Sequence, residues 1–86
     1  MSFINWMIEE QGKAESTASK YNGAISNRLS LMTNINLINI RTTEGFIPVK
    51  NNLENLTEFQ SLNEKGHHMY SRALEMYLQY LEDIED

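Results

Sequence analysis

The chain contains no cysteine, one proline, one tryptophan and four glycines in 86 residues. Without cysteine there are no disulfides and no thiolate metal sites, which fits a reducing compartment. A cytoplasmic location is therefore expected. No apolar run approaches the roughly 18 residues that a membrane span needs. The opening stretch MSFINWMIEEQ carries acids and no basic region, which argues against a signal peptide. Gly-rich phosphate loops, paired-carboxylate motifs and nucleophile–base–oxyanion sets drawn from separate elements are also missing. No catalysis and no cofactor are expected from this chain. Basic residues are few as well. Lys13, Lys20, Arg28, Arg41, Lys50, Lys65 and Arg72 are scattered, whereas tight binding to phosphates draws on clustered cations.

The net charge of −5 comes largely from the C-terminal end, where Glu82, Asp83, Glu85 and Asp86 occupy four of the last five positions. Residues 1–81 hold eight acids against seven bases and are nearly neutral. Acids at a helix C-terminus oppose the macrodipole, so fraying is expected there. A chain that stops in such a segment reads as a domain taken from a longer protein.

Residues 1–86 are long enough for one domain with one modest core, burying about 60–65% of the unfolded surface. Hydrophobic spacing predicts an all-α bundle of four to five helices with one irregular connection around residues 33–48. Ser2 is the expected N-cap of a first helix with Phe3, Ile4, Trp6, Met7 and Ile8 on its apolar side, ending at Gly12. Ser16 is the expected cap of a second, whose apolar stripe runs through Ala18, Tyr21, Ala24 or Ile25, Leu29 and Met32. Gly23 inside that helix suggests either a closely approaching neighbour or simple tolerance.

Over residues 33–48 a loop or short extended piece is expected to pack Ile35, Leu37, Ile40 and Phe46 over the helices, with Glu44-Gly45 as a turn. Pro48 suits the first turn of a third helix. Thr57 is the expected cap of a short fourth helix that Gly66 ends. The last helix, from about His68 to Ile84, carries the strongest stripe: Met69, Tyr70, Ala73, Leu74, Tyr77, Leu78, Leu81 and Ile84.

Three features invite a chemical reading. His67 and His68 are adjacent, so on a helix they point about 100° apart and cannot easily share a metal ion. Position 72, one turn after His68, is an arginine. A polar helix start is the better reading, and no metal is expected. The aromatic residues Phe3, Trp6, Tyr70, Tyr77 and Tyr80 suit either a base-stacking platform or a core. Tyr70 and Tyr77 share a helical face, which favours the core. The long stripe of the last helix also suits docking or dimerisation.

Two stretches, GKAESTASKYNGAISNRLS and FQSLNEKGHHMYSRALEMYLQYLE, together resemble the small helical N-terminal domain of HNH-type and other restriction endonucleases. The shared pattern begins with a helix carrying Phe3 and Trp6. It continues with Ser16-Thr17-Ala18 and Tyr21, and closes on Gly66, Tyr70, Ser71, Ala73, Leu74 and Tyr77. Only residues 33–50 fall outside it. A looser similarity links the second helix to the core-binding domains of tyrosine recombinases. Both resemblances imply an accessory, non-catalytic module of a DNA-processing enzyme, with a C-terminal nuclease domain or partner subunit beside it. The implied DNA surface is the second helix with Lys20 and Arg28, and the start of the last helix with His67, His68 and Arg72. There the helix N-terminus offers backbone N–H groups to a phosphate. The alternative is a protein–protein interaction or homodimerisation module without nucleic-acid contact.

Overall fold

In a computed structural model, which describes residues 1–85, the chain forms an all-α bundle with no strand among the described residues. The helices are α1 (Phe3–Glu9), α2 (Glu15–Gly23), α3 (Leu29–Thr33), α4 (Thr43–Glu54), α5 (Thr57–Lys65) and α6 (Met69–Glu85). None of them is long and apolar enough to cross a membrane.

Ser2 caps α1 as expected, its hydroxyl accepting from the Asn5 amide at 3.3 Å. Beyond α1 the chain turns through Gly12 at φ +66°, a region glycine enters without a steric penalty. Helix α2 begins one residue before the expected cap. Ala14 holds the N-cap position without a side-chain bond, and Glu15 instead places an acid in the first turn, where it complements the helix dipole.

Helices α2 and α3 are one uninterrupted rod, joined through a π-helical turn at Ala24–Arg28. The Leu29 amide there reaches back five residues to the Ala24 carbonyl. A π turn inserts one extra residue. Both Ala24 and Ile25 consequently face the core, at 5% and 0% exposure, where a regular helix leaves a choice between them. Ser30 then locks the turn to the following chain. Its hydroxyl donates to the Ile25 carbonyl at 2.7 Å and accepts from the Leu37 amide at 2.9 Å. Asn34, in the left-handed region at φ 58°, ends the rod. A β-carbon placed on Gly23 would meet nothing within 4 Å, so no neighbouring helix explains that glycine.

The connection after the rod is shorter than the sequence suggests. Leu37–Asn39 form a 3-10 turn, with Leu37 buried and Ile40 half-buried against the core. Ile35, expected to pack inward, is instead exposed. Helix α4 starts at Thr43, five residues before Pro48. Thr42 is a true N-cap, accepting from the Gly45 amide at 3.1 Å, and Glu44 supplies an acid to the first turn. These two signals outweigh the proline. Pro48 therefore lies inside α4, and the Glu44 carbonyl that would pair with its missing N–H belongs to a solvent-exposed residue. The Glu44-Gly45 pair is helical, and Phe46 reaches the core from α4. Helix α5 likewise starts at Thr57 as its first helical residue, after Leu56.

Helix α6 organises the bundle. Ala73, Leu74, Tyr77, Tyr80 and Leu81 are buried along it, although Ile84 is left exposed. The Tyr77 ring meets Phe3 edge-on at 4.9 Å and Phe46 at 5.0 Å, and Tyr80 packs on Phe3 and Trp6. Four of the five aromatic residues in α1 and α6 are buried and the fifth, Tyr70, is half-buried, so they belong to the core. The hydroxyls find backbone partners. Tyr77 donates to the Ile40 carbonyl at 2.7 Å, with Ile38 at 3.2 Å, and Tyr80 donates to Met1 at 2.6 Å.

Two of the terminal acids serve the same end. Asp83 accepts from the Trp6 indole N–H at 2.7 Å. Glu85 accepts from the Thr43 amide at 2.6 Å and its hydroxyl at 2.9 Å, closing the start of α4. Instead of fraying ahead of these acids, α6 stays helical to Glu85; Asp86 lies outside the described residues.

Candidate functional site

The double histidine occupies the turn between α5 and α6. Gly66, read from sequence as the residue that turns the chain, has an ordinary φ of −90°. The left-handed residues are His67 at φ 54° and His68 at φ 66°. Each such non-glycine residue costs about 1–2 kcal/mol. The turn is held by hydrogen bonds from the His68 amide to Asn63 O at 2.7 Å and from the His67 amide to Glu64 O at 3.2 Å. A β-carbon at position 66 would sit 3.0 Å from the Tyr70 ring, a tight contact that glycine avoids.

Asn63 of α5 then caps α6. Its Oδ1 accepts from the Ser71 amide at 2.9 Å, and its amide nitrogen lies 3.3 Å from His68 Nδ1. The Met69 and Arg72 amides bond to Gly66 O and His68 O, so the start of α6 has few N–H groups left for a phosphate. Helix α6 begins at Met69, with His68 just outside it. Both imidazoles are exposed, and no group of three or more metal-ligating side chains occurs among the described residues.

The five residues singled out as a DNA surface do not share one site. Arg72 lines a depression of about 430 Å³ at the junction of α2 and α6, together with Lys13, Tyr21 and Ser71. Lys20 is exposed on α2 next to Tyr21 in the chain, outside that lining. His68 lines a second depression of about 410 Å³ with Phe59, Asn63 and Glu64, which adjoins the first at Ser71, a residue common to both. Arg28 faces a groove elsewhere, and His67 is on the surface of the turn. Lys13 is the cation that sequence reading passed over. It lies between helices, where periodicity carries no information, and only the packing of α2 against α6 brings it to Arg72.

Electrostatics sharpen the Arg72 depression. Glu75 lines it too, but its carboxylate lies 2.9 Å from Lys50, which also bonds Glu54 at 3.1 Å. Burial opposes the charge on Lys50, and the hydrogen bonds to Glu75 and then Glu54 outweigh it, so its pKa is raised. Lys50 thus stays charged and ties α4 to α6. With Glu75 engaged by Lys50, the depression is lined by two cations that form no ion pair among the described residues, Lys13 and Arg72, and by the half-buried Tyr21.

An apolar groove of about 740 Å³ lies between the end of the rod and α5. Leu31 stands on its rim at 80% exposure, with Met32 and Leu62 beneath it and Arg28, Glu58 and Lys65 around it. No protein-family model matches the chain, and no curated protein or solved structure matches it.

Proposed function

We propose that this chain is a non-catalytic DNA-contacting module of a restriction-type endonuclease or related DNA-processing enzyme. In this reading it works in the cytoplasm beside a nuclease domain or partner subunit. The family resemblance supplies the class of enzyme. The single observation that supports the contact itself is that Lys13, Arg72 and Tyr21 line one depression between α2 and α6. Lys20, exposed on α2 outside that lining, would add to the contact only as a second point of attachment. His68 borders this depression across Ser71, while His67 and Arg28 lie outside its lining.

A two-cation site gives weak, salt-dependent binding. Each neutralised phosphate contributes a slope of about −0.9 in log K against log salt. Fluorescence anisotropy of a labelled duplex at low salt tests the reading. Binding with a slope near −2 is expected, and Lys13→Ala or Arg72→Ala should each reduce the slope by about 1. Absence of binding at low salt, or binding that neither substitution weakens, refutes it.

A further inference from the structure

We propose that the groove between α3 and α5 is the self-association surface of the protein, occupied by α5 of a second copy in antiparallel orientation. The argument begins with the charge pattern of α5. Glu58, Leu62 and Lys65 follow one another at four and three residues and so lie on one face, which lines the groove. Glu58 stands near one end of the helix and Lys65 at the other, about 10.5 Å apart along the axis. Both are exposed, and neither belongs to an ion pair among the described residues.

A two-fold interface must be self-complementary: what residue i meets on the partner, the partner's residue i meets here. The midpoint of positions 58 and 65 falls between Ser61 and Leu62. When two copies of α5 pair antiparallel about that point, Glu58 faces Lys65 of the other copy at both ends. Leu62 then sits near the axis. Leu31, 80% exposed on the opposite wall, supplies the apolar area that the pairing covers, and Arg28 adds a cation to that wall. A single helix face of this size belongs with interfaces below about 1,200 Å², so the dimer is weak and reversible. This surface is distinct from the Lys13–Arg72 depression, and its occupation is independent of any DNA contact.

Sedimentation of the 86-residue chain at low salt, up to about 1 mM, tests the proposal. The mass is expected to rise with concentration from 10.0 kDa toward twice that value. Glu58→Lys places like charges opposite each other at both ends and should raise Kd about tenfold or more. Lys65→Glu should do the same, and the double swap E58K/K65E should restore the original Kd. Leu31→Asp should abolish the dimer. These side chains are exposed, and a retained cooperative thermal transition shows that each variant folds, although the charge reversals also oppose the dipole of α5. A chain that stays at 10.0 kDa throughout overturns the proposal and leaves the groove to a partner of another sequence. A dimer indifferent to Glu58→Lys, or one that the double swap fails to restore, overturns the antiparallel α5 pairing.

Discussion

Replacing Tyr77 by phenylalanine removes one oxygen from the centre of the bundle and leaves the ring contacts in place. Tyr77 is fully buried, and its hydroxyl is the donor that reaches the Ile40 and Ile38 carbonyls of the connection before α4. A net hydrogen bond contributes roughly 0.5–1.5 kcal/mol, and a buried acceptor left without a donor costs about 1–3 kcal/mol. Ile38 and Ile40 are only half-buried, so water reaches part of what is lost. The balance is about 2 kcal/mol. For a domain of this size that corresponds to a fall in Tm of about 8–16 °C. Urea unfolding followed by Trp6, the only tryptophan and a buried one, measures it directly.

The same hydroxyl makes the prediction dependent on pH. Burial pushes the Tyr77 phenol up to about 12 from 10.0, with Arg41 pulling the other way and Tyr80 adding a smaller upward push. Between about pH 10 and 12 the unfolded chain loses this proton while the folded chain keeps it. Folding stability therefore falls as pH rises through that window, by up to about 1.4 kcal/mol per pH unit. Tyr77→Phe has no such proton, so its disadvantage relative to wild type should shrink over the same window. A deficit below about 0.5 kcal/mol at neutral pH, or one that stays constant from pH 9 to 12, refutes this account of the core.

Gly23→Ala should stabilise the protein by about 0.5–1 kcal/mol, because the site has helical φ −63° and open space for a β-carbon. A destabilised variant in the same urea titration would mean that the π turn depends on glycine. His67→Gly should also stabilise, by about 0.5–1 kcal/mol, since glycine avoids the left-handed penalty at φ 54° and gives back part of that gain as unfolded-chain entropy. A loss of stability in a thermal melt would show that the His67 side chain itself holds the turn.

The all-α class and the inward face of α6 were legible because both rest on spacing alone. Ala73, Leu74, Tyr77 and Leu81 return to one side whatever else the chain does, and the structure buries all four. The error over residues 33–48 has a local cause. Pro48 and the Glu44-Gly45 pair read as breakers, while the cap formed by Thr42 on the Gly45 amide, with Glu85 closing on Thr43, outweighs them. Thr42 was visible in the sequence; Glu85, 42 residues beyond Thr43, had no visible connection to that start. The π turn was hidden for a similar reason. Regular 3.6-residue spacing forces a choice between Ala24 and Ile25, and only a bond from the Leu29 amide to Ala24 O removes it. The histidine pair and Gly66, the C-cap of α5, were legible as a boundary, but the left-handed conformation of both histidines was not, because histidine carries no strong signal for it.

The surface chemistry divides along the same line. Lys13 and Arg72 are 59 positions apart and line one depression only because α1, α2 and α6 pack as they do, so no window of sequence brings them together. The Glu58–Lys65 pattern is the opposite case. Its seven-residue spacing is local and was present in the sequence, yet it has meaning only once α5 is seen to place that face on an apolar groove beside an exposed Leu31. Charge spacing on a helix is ambiguous between a solvated face and a recognition face. The deciding fact is whether apolar area lies between the charges, and here it does.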